Sequence, residues 1–156
     1  DMPFMCVHTP ADNHVSHYLN RLFKEKKPKK VSDVIDILME IPEYKLASEF
    51  NAGPKIIVGS PKREVGEIFM EMTGGTEGSS KVYDKLYKKG SRTLICMHLS
   101  EEHFKKVKDL NLNVVIAGHI SSDTLGLNLI LDNIENSSGE TFEVINCSGF
   151  NRIKRK

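Results

Sequence analysis

The sequence predicts an α/β domain, a sheet of apolar strands covered by amphipathic helices, and three observations carry that expectation. Short apolar runs such as Val114-Val115-Ile116-Ala117 alternate with segments whose apolar residues recur at helical spacing. Those runs are apolar at every position, as a strand covered on both faces must be. The 156 residues, 39% hydrophobic and 28% charged, are enough for a single domain, 1–156, with a sizeable core.

Residues 3–7 read as a buried strand, followed by a helix with Val15, Tyr18, Leu19, Leu22 and Phe23 on one face. Lysines and Pro28 make 24–30 a solvated linker. Ser32 can cap a second helix carrying Val34, Ile35, Leu38 and Met39 and ending near Pro42. A short helix over 43–50 closes at Asn51-Ala52-Gly53-Pro54. Strands are expected at 56–58 and 68–72, then a glycine-rich loop at 73–80 and a helix with Val82 and Leu86. The strand 93–97, a helix with Phe104 and Val107 and the strand 113–117 follow. A helix with Leu127, Ile130, Leu131 and Ile134 on one face, a last strand over 142–145 and a basic tail, 152–156, complete the chain. A domain that opens in mid-strand is expected to be a piece of a longer protein; the alternative is that Met2 is the true start.

Lysine plus arginine (22) nearly balances aspartate plus glutamate (21), which argues against a dedicated nucleic-acid binder or a protein drawn to anionic lipid. No apolar run reaches the roughly 20 residues of a membrane helix, and no export signal is recognisable, so the expected location is the cytoplasm. Cys6, Cys96 and Cys147 are an odd, dispersed set, expected to be reduced core thiols rather than a disulfide or zinc framework.

The chemistry concentrates in three histidines. His8, His98 and His119 each come just after an apolar run, at the strand ends that border the ligand crevice of an open α/β sheet. If those strands are parallel neighbours, the imidazoles converge. Asp12 lies four residues after His8 and Asp123 four after His119, placing each carboxylate near its histidine across one helical turn. Imidazole with carboxylate oxygen suits zinc, manganese or iron. Alternatively, the two aspartates only charge the first helical turn. Gly74, Gly75 and Gly78 could expose backbone N–H groups to an anion, or simply form a turn. Ser100 is a natural helix cap, His103 reads as an exposed helical residue, and His14 and His17 as surface positions of the first helix.

His8-Thr9-Pro10-Ala11-Asp12 resembles the His-Thr-x-x-Asp signature of the Ngg-interacting factor three (Nif-three-like) family. Gly118-His119-Ile120-Ser121-Ser122-Asp123 resembles its second signature, Gly-His-x-x-Ser-acidic, in the same order. The resemblance implies a dinuclear metal site between two α/β halves and ring-like homo-oligomers, often hexamers. Members are also called type-two GTP cyclohydrolase I homologues, and eukaryotic relatives are described as partners of transcription factors. By motif, Asp12 would be the bridging carboxylate and His119 and Asp123 the later ligand pair, with His8 and His98 lining the cavity.

Two departures qualify the match. Aspartate stands at 123 where relatives commonly have glutamate, and the family's adjacent His-His pair is absent. The expectation is therefore a chain lacking an amino-terminal half and holding an incomplete shell for two zinc, manganese or iron ions, with no other cofactor. It would be part of a metal-dependent hydrolase of a small nucleotide-like or phosphorylated substrate, with His98 a candidate proton shuttle. The alternative is a non-enzymatic module whose metal stabilises an oligomer and whose surface recruits partners.

Overall fold

The computed structural model describes residues 3–75 and 77–155. The element order is α1 (His8–Lys26), α2 (Val31–Met39), α3 (Pro42–Glu49), β1 (Lys55–Val58), β2 (Glu67–Glu71), α4 (Val82–Lys89), β3 (Ser91–Cys96), α5 (Glu101–Asp109), β4 (Asn113–Ile116) and α6 (His119–Ser138). The four strands form one sheet in the order β1-β4-β3-β2. β2, β3 and β4 are mutually parallel, with Ile95 opposite Val115, and β1 is antiparallel to β4.

The apolar strands are central, as expected, and their side chains divide by period two. Ile95, Met97, Val115 and Ala117 enter a core with Val15, Leu19 and Phe23 of α1 and Val34 and Leu38 of α2. Leu94, Cys96 and Val114 point to the other face, against Tyr83 of α4 and Val107 of α5. Both faces are thus covered, which is why a polar alternation is missing from these strands.

α1 buries Ala11, Val15, Leu19 and Phe23 at intervals of four and crosses α6. Gly126 permits that crossing: a Cβ there would lie 2.7 Å from the Ala11 carbonyl oxygen. The crossing sits one residue from Asp12 and three from Asp123, so it sets the separation of the two motifs.

Several expectations are corrected. Residues 3–7 form no strand, and Phe4 and Met5 are 96% and 81% exposed. Residues 142–145 likewise form none, with Ile145 exposed. In both segments an apolar run alone could not supply the neighbouring ladder that a strand requires, and the described residues contain none. α1 continues through Lys26, which shortens the linker. The start of α2 is capped by Asp33, whose Oδ2 accepts from the backbone N–H groups of Lys29 and Lys30 at 2.9 Å each, not by Ser32. Cys96 is buried, but Cys6 and Cys147 are exposed because their segments lie outside the sheet.

The inward face of α6 also differs from the expected one. Leu125, Asn128, Asp132 and Glu135 are buried, while Ile134 is exposed. Its polar residues are covered by the basic residues 152–155, which form a docked strap rather than a free tail: Arg152 meets Asp132 at 2.7 Å and Arg155 meets Glu43 at 2.6 Å. No helix among the described residues is long and apolar enough to cross a membrane.

Candidate functional site

β3 and β4 end side by side, and the chain beyond each carries a histidine: His98 after β3 and His119 at the first position of α6. Their rings lie 5.0 Å apart between centroids, tilted by 31°. His8 arrives by a different route from that expected. It follows no strand; as the first residue of α1 it is brought in by the α1–α6 crossing. The loop after β2 closes the group, since a Cβ on Gly74 would stand 2.6 Å from His119 Nε2 and 3.2 Å from His8 Nε2. Only glycine leaves that approach open.

The four-residue spacings behave as the helical reading requires. His8 Nδ1 is 3.5 Å from Asp12 Oδ2, and His119 Nε2 is 3.6 Å from Asp123 Oδ2. Asp12 is buried; its Oδ2 accepts the Gly74 N–H at 3.1 Å, while its Oδ1 is buried with no hydrogen-bond partner. Burial raises the pKa of Asp123, His119 opposes that shift, and the nearby Asp12 carboxylate adds to it. The ends of β3 and β4 and the α1–α6 crossing therefore bring His8, Asp12, His98, His119 and Asp123 together on one rim.

Carboxylate oxygen and imidazole nitrogen are the right donors for a borderline divalent cation, and the orphaned Asp12 Oδ1 is the kind of acceptor such an ion would satisfy. Among the described residues, however, no three histidine, cysteine, aspartate or glutamate side chains stand in a ligating arrangement. The donor types suit a cation in chemistry, but the described residues do not gather three of them around one point.

Sequence reasoning missed Glu77, which stands behind His98. Its Oε1 accepts the Ser100 backbone N–H at 2.6 Å and lies 3.7 Å from His98 Nδ1, and its Oε2 lies 3.5 Å from His103 Nδ1. Burial disfavours the Glu77 carboxylate, but hydrogen bonding to Ser100 and the neighbouring His103 and His98 outweigh it and lower its pKa. His103 is buried, contrary to its reading as exposed, because Tyr83 packs on it edge-on with its hydroxyl 3.2 Å from Nδ1. Ser100 caps α5 as expected. The one available signal for Glu77 was a carboxylate in a glycine-rich loop otherwise free of charge. His14 and His17 remain on the outer part of α1.

Comparison with solved structures places this architecture. A NIF3 superfamily protein from Sphaerobacter thermophilus superposes with a TM-score of 0.62 at 23% identity, over 81% of this chain. The fold is NIF3-like. The match spans 46% of that protein's length. Two structures of the Staphylococcus aureus protein SA1388 match at 17% identity with TM-scores of 0.45 and 0.44. No family model and no curated protein matches the chain.

Proposed function

We propose that this chain contributes the Asp12, His119 and Asp123 ligands of a divalent-metal-dependent hydrolase that acts on a small phosphorylated or nucleotide-like substrate. The observation that carries the reading is Asp12 Oδ1, a buried carboxylate oxygen without a partner on a rim that also holds three imidazoles. An unpartnered buried acceptor costs free energy, and a cation would remove that cost. A bound divalent ion supplies Lewis acidity toward the substrate and a bound water of near-neutral pKa.

The chain's own residues provide the rest. Asp12 is held by the Gly74 N–H with one oxygen free, and His119 and Asp123 project from the first turns of α6. His98 turns Nδ1 toward Glu77, which favours a proton there and leaves Nε2 to exchange one with the substrate side. With Glu77 in this positioning role, His98 is the candidate general acid or base.

The test is calorimetric titration of zinc, manganese and ferrous iron into the wild-type chain, Asp12→Ala and His119→Ala. Weak binding by the wild type, reflecting its incomplete shell, and loss in both variants is the expected result. Unchanged stoichiometry in both variants overturns the ligand assignment, and tight binding of two ions by this chain overturns the incomplete shell. Cation binding with no turnover across a panel of nucleotides and phosphoesters, tested with the parent protein, would leave the metal site and remove the hydrolase.

A further inference from the structure

The rim does not account for a cavity of about 560 Å3 beside it, between α3, the start of α6, the ends of β3 and β4, and the strap at 149–153. Its walls are Leu46, Phe50, Met97, Ile116, Ile120 and Ile153, with His119 common to this cavity and the rim. The volume lies inside the roughly 300–1,000 Å3 range of small-molecule sites. Phe50 and Ile120 are 75% and 69% exposed, large apolar surfaces left in water at its edge.

The polar groups in the walls are already engaged. Thr124 donates to the Ile120 carbonyl at 2.8 Å, Ser121 to the Gly118 carbonyl at 3.3 Å, and Asn151 to the Gly149 carbonyl at 3.3 Å. Both Glu43 oxygens are taken by Arg155, with Asn128 on one of them. Recognition in the interior must therefore come from apolar contact, and the free polar chemistry is at the His119 end.

We propose that this cavity binds the apolar ring system of a small molecule whose polar end reaches His119 and, through it, the Asp12–Asp123 rim. The direction of the ligand rests on the proposed metal site; the binding of the ring does not. A ring is the occupant because the space, about 560 Å3, is bounded on three sides by helix, sheet edge and strap and is walled by apolar side chains.

The chain contains no tryptophan, so the emission of added indole reports its own surroundings without a protein background from that residue. Indole is titrated into the full chain in the presence of a chelator, with Ala47→Phe, at a small residue of α3 that also lines the cavity, to fill it and Ile120→Glu to charge its mouth. The expected result is a blue-shifted emission saturating at one indole per chain, weakened at least about tenfold by Ala47→Phe and unaffected by Asp12→Ala. Circular dichroism checks folding, and if Ala47→Phe does not fold, Ile120→Glu decides.

Absence of binding to the wild type, or equal binding to the deciding variant, overturns the proposal. So does concentration-dependent self-association that the deciding variant abolishes, which would make a second copy the occupant. Loss of cation binding with indole binding intact would count against the rim alone. Intact cation binding without indole binding would count against the cavity alone.

Discussion

Two clusters of charge, at opposite ends of α6, are built in contrary ways. At the far end, the strap residues Arg152, Lys154 and Arg155 face Glu43, Asp132 and Glu135, and all six carboxylate oxygens have a partner. Glu43 takes Arg155 and Asn128, Asp132 takes the Arg152 guanidinium and the Arg155 backbone N–H, and Glu135 takes the Phe142 N–H together with Lys154 and Arg152. Hydrogen bonding to Lys154, then to the Phe142 N–H, leads the effects that hold the Glu135 pKa down to about 2. At the near end, the His–Asp pairs stand at 3.5 and 3.6 Å, Asp12 Oδ1 has no partner, and burial raises the Asp123 pKa. The charges are thus satisfied fully where they fasten the strap to α6 and α3, and the Asp12 carboxylate is left under-satisfied where α1 meets the start of α6 at the sheet edge. Among the carboxylates of the two clusters the deficit falls at the rim alone, the pattern of a site; the other buried side-chain atom without a partner among the described residues, Asn113 Oδ1, lies at the start of β4.

The strongest way to break this contrast is Arg155→Ala. The Glu43 side chain is fully buried, so removing its cation strands a carboxylate that only Asn128 still contacts. Breaking a buried pair by removing one partner costs roughly 3–5 kcal/mol, and the 23% exposure of Arg155 puts the expected loss near the lower figure. Urea denaturation measures it. A loss below about 1 kcal/mol would mean that the strap is an exposed-type pairing, and the contrast between the two ends would collapse.

What could be read from the sequence follows the same division. The later parts of β3 and β4 were legible because burial on both faces leaves Leu94-Ile95-Cys96 and Val114-Val115-Ile116 apolar at every position, a pattern that requires no knowledge of the partner. The proximity of His8 to Asp12 and of His119 to Asp123 was legible because each pair lies within one local turn. Residues 3–7 and 142–145 were not, since an apolar run has the same appearance whether or not a ladder neighbour exists. The inward face of α6 was misread because Asn128, Asp132 and Glu135 are buried against cations some 20 residues further along, a pairing that hydropathy cannot register. Glu77 escaped for the related reason that its partners lie on β3's exit and α5.

An intermediate effect is expected from Gly126→Ala, which attacks the element joining the two clusters. The added methyl would meet the Ala11 carbonyl oxygen at 2.7 Å and its Cβ at 2.9 Å, so α1 must shift. Overpacking of this kind costs about 1–3 kcal/mol. Because Asp12 follows Ala11, the variant should also lose cation affinity while the strap contacts persist. A normal titration by a destabilised Gly126→Ala would show that the crossing does not set the rim.

The smallest effect sharpens the comparison most, because its sign is opposite. Folding raises the Asp123 pKa, so the folded state favours its protonated form: that contribution is full below the ordinary aspartate value and is lost as pH rises through the folded pKa. Glu135, held down, behaves in reverse: its contribution is full above the ordinary glutamate value and is lost as pH falls toward about 2. At neutral pH the ionised Asp123 therefore opposes folding, and Asp123→Asn should stabilise the cation-free chain. With the side chain about half exposed, the gain should be no more than about 0.5 kcal/mol. It should shrink as acid protonates the wild-type carboxylate, whereas Glu135→Gln should be destabilising at neutral pH and progressively less so toward acid. Denaturation of both variants and the wild type at a series of pH values between neutral and about 3 separates the two slopes. A stability loss for Asp123→Asn at neutral pH would mean that the rim is held together by its charges as the strap is.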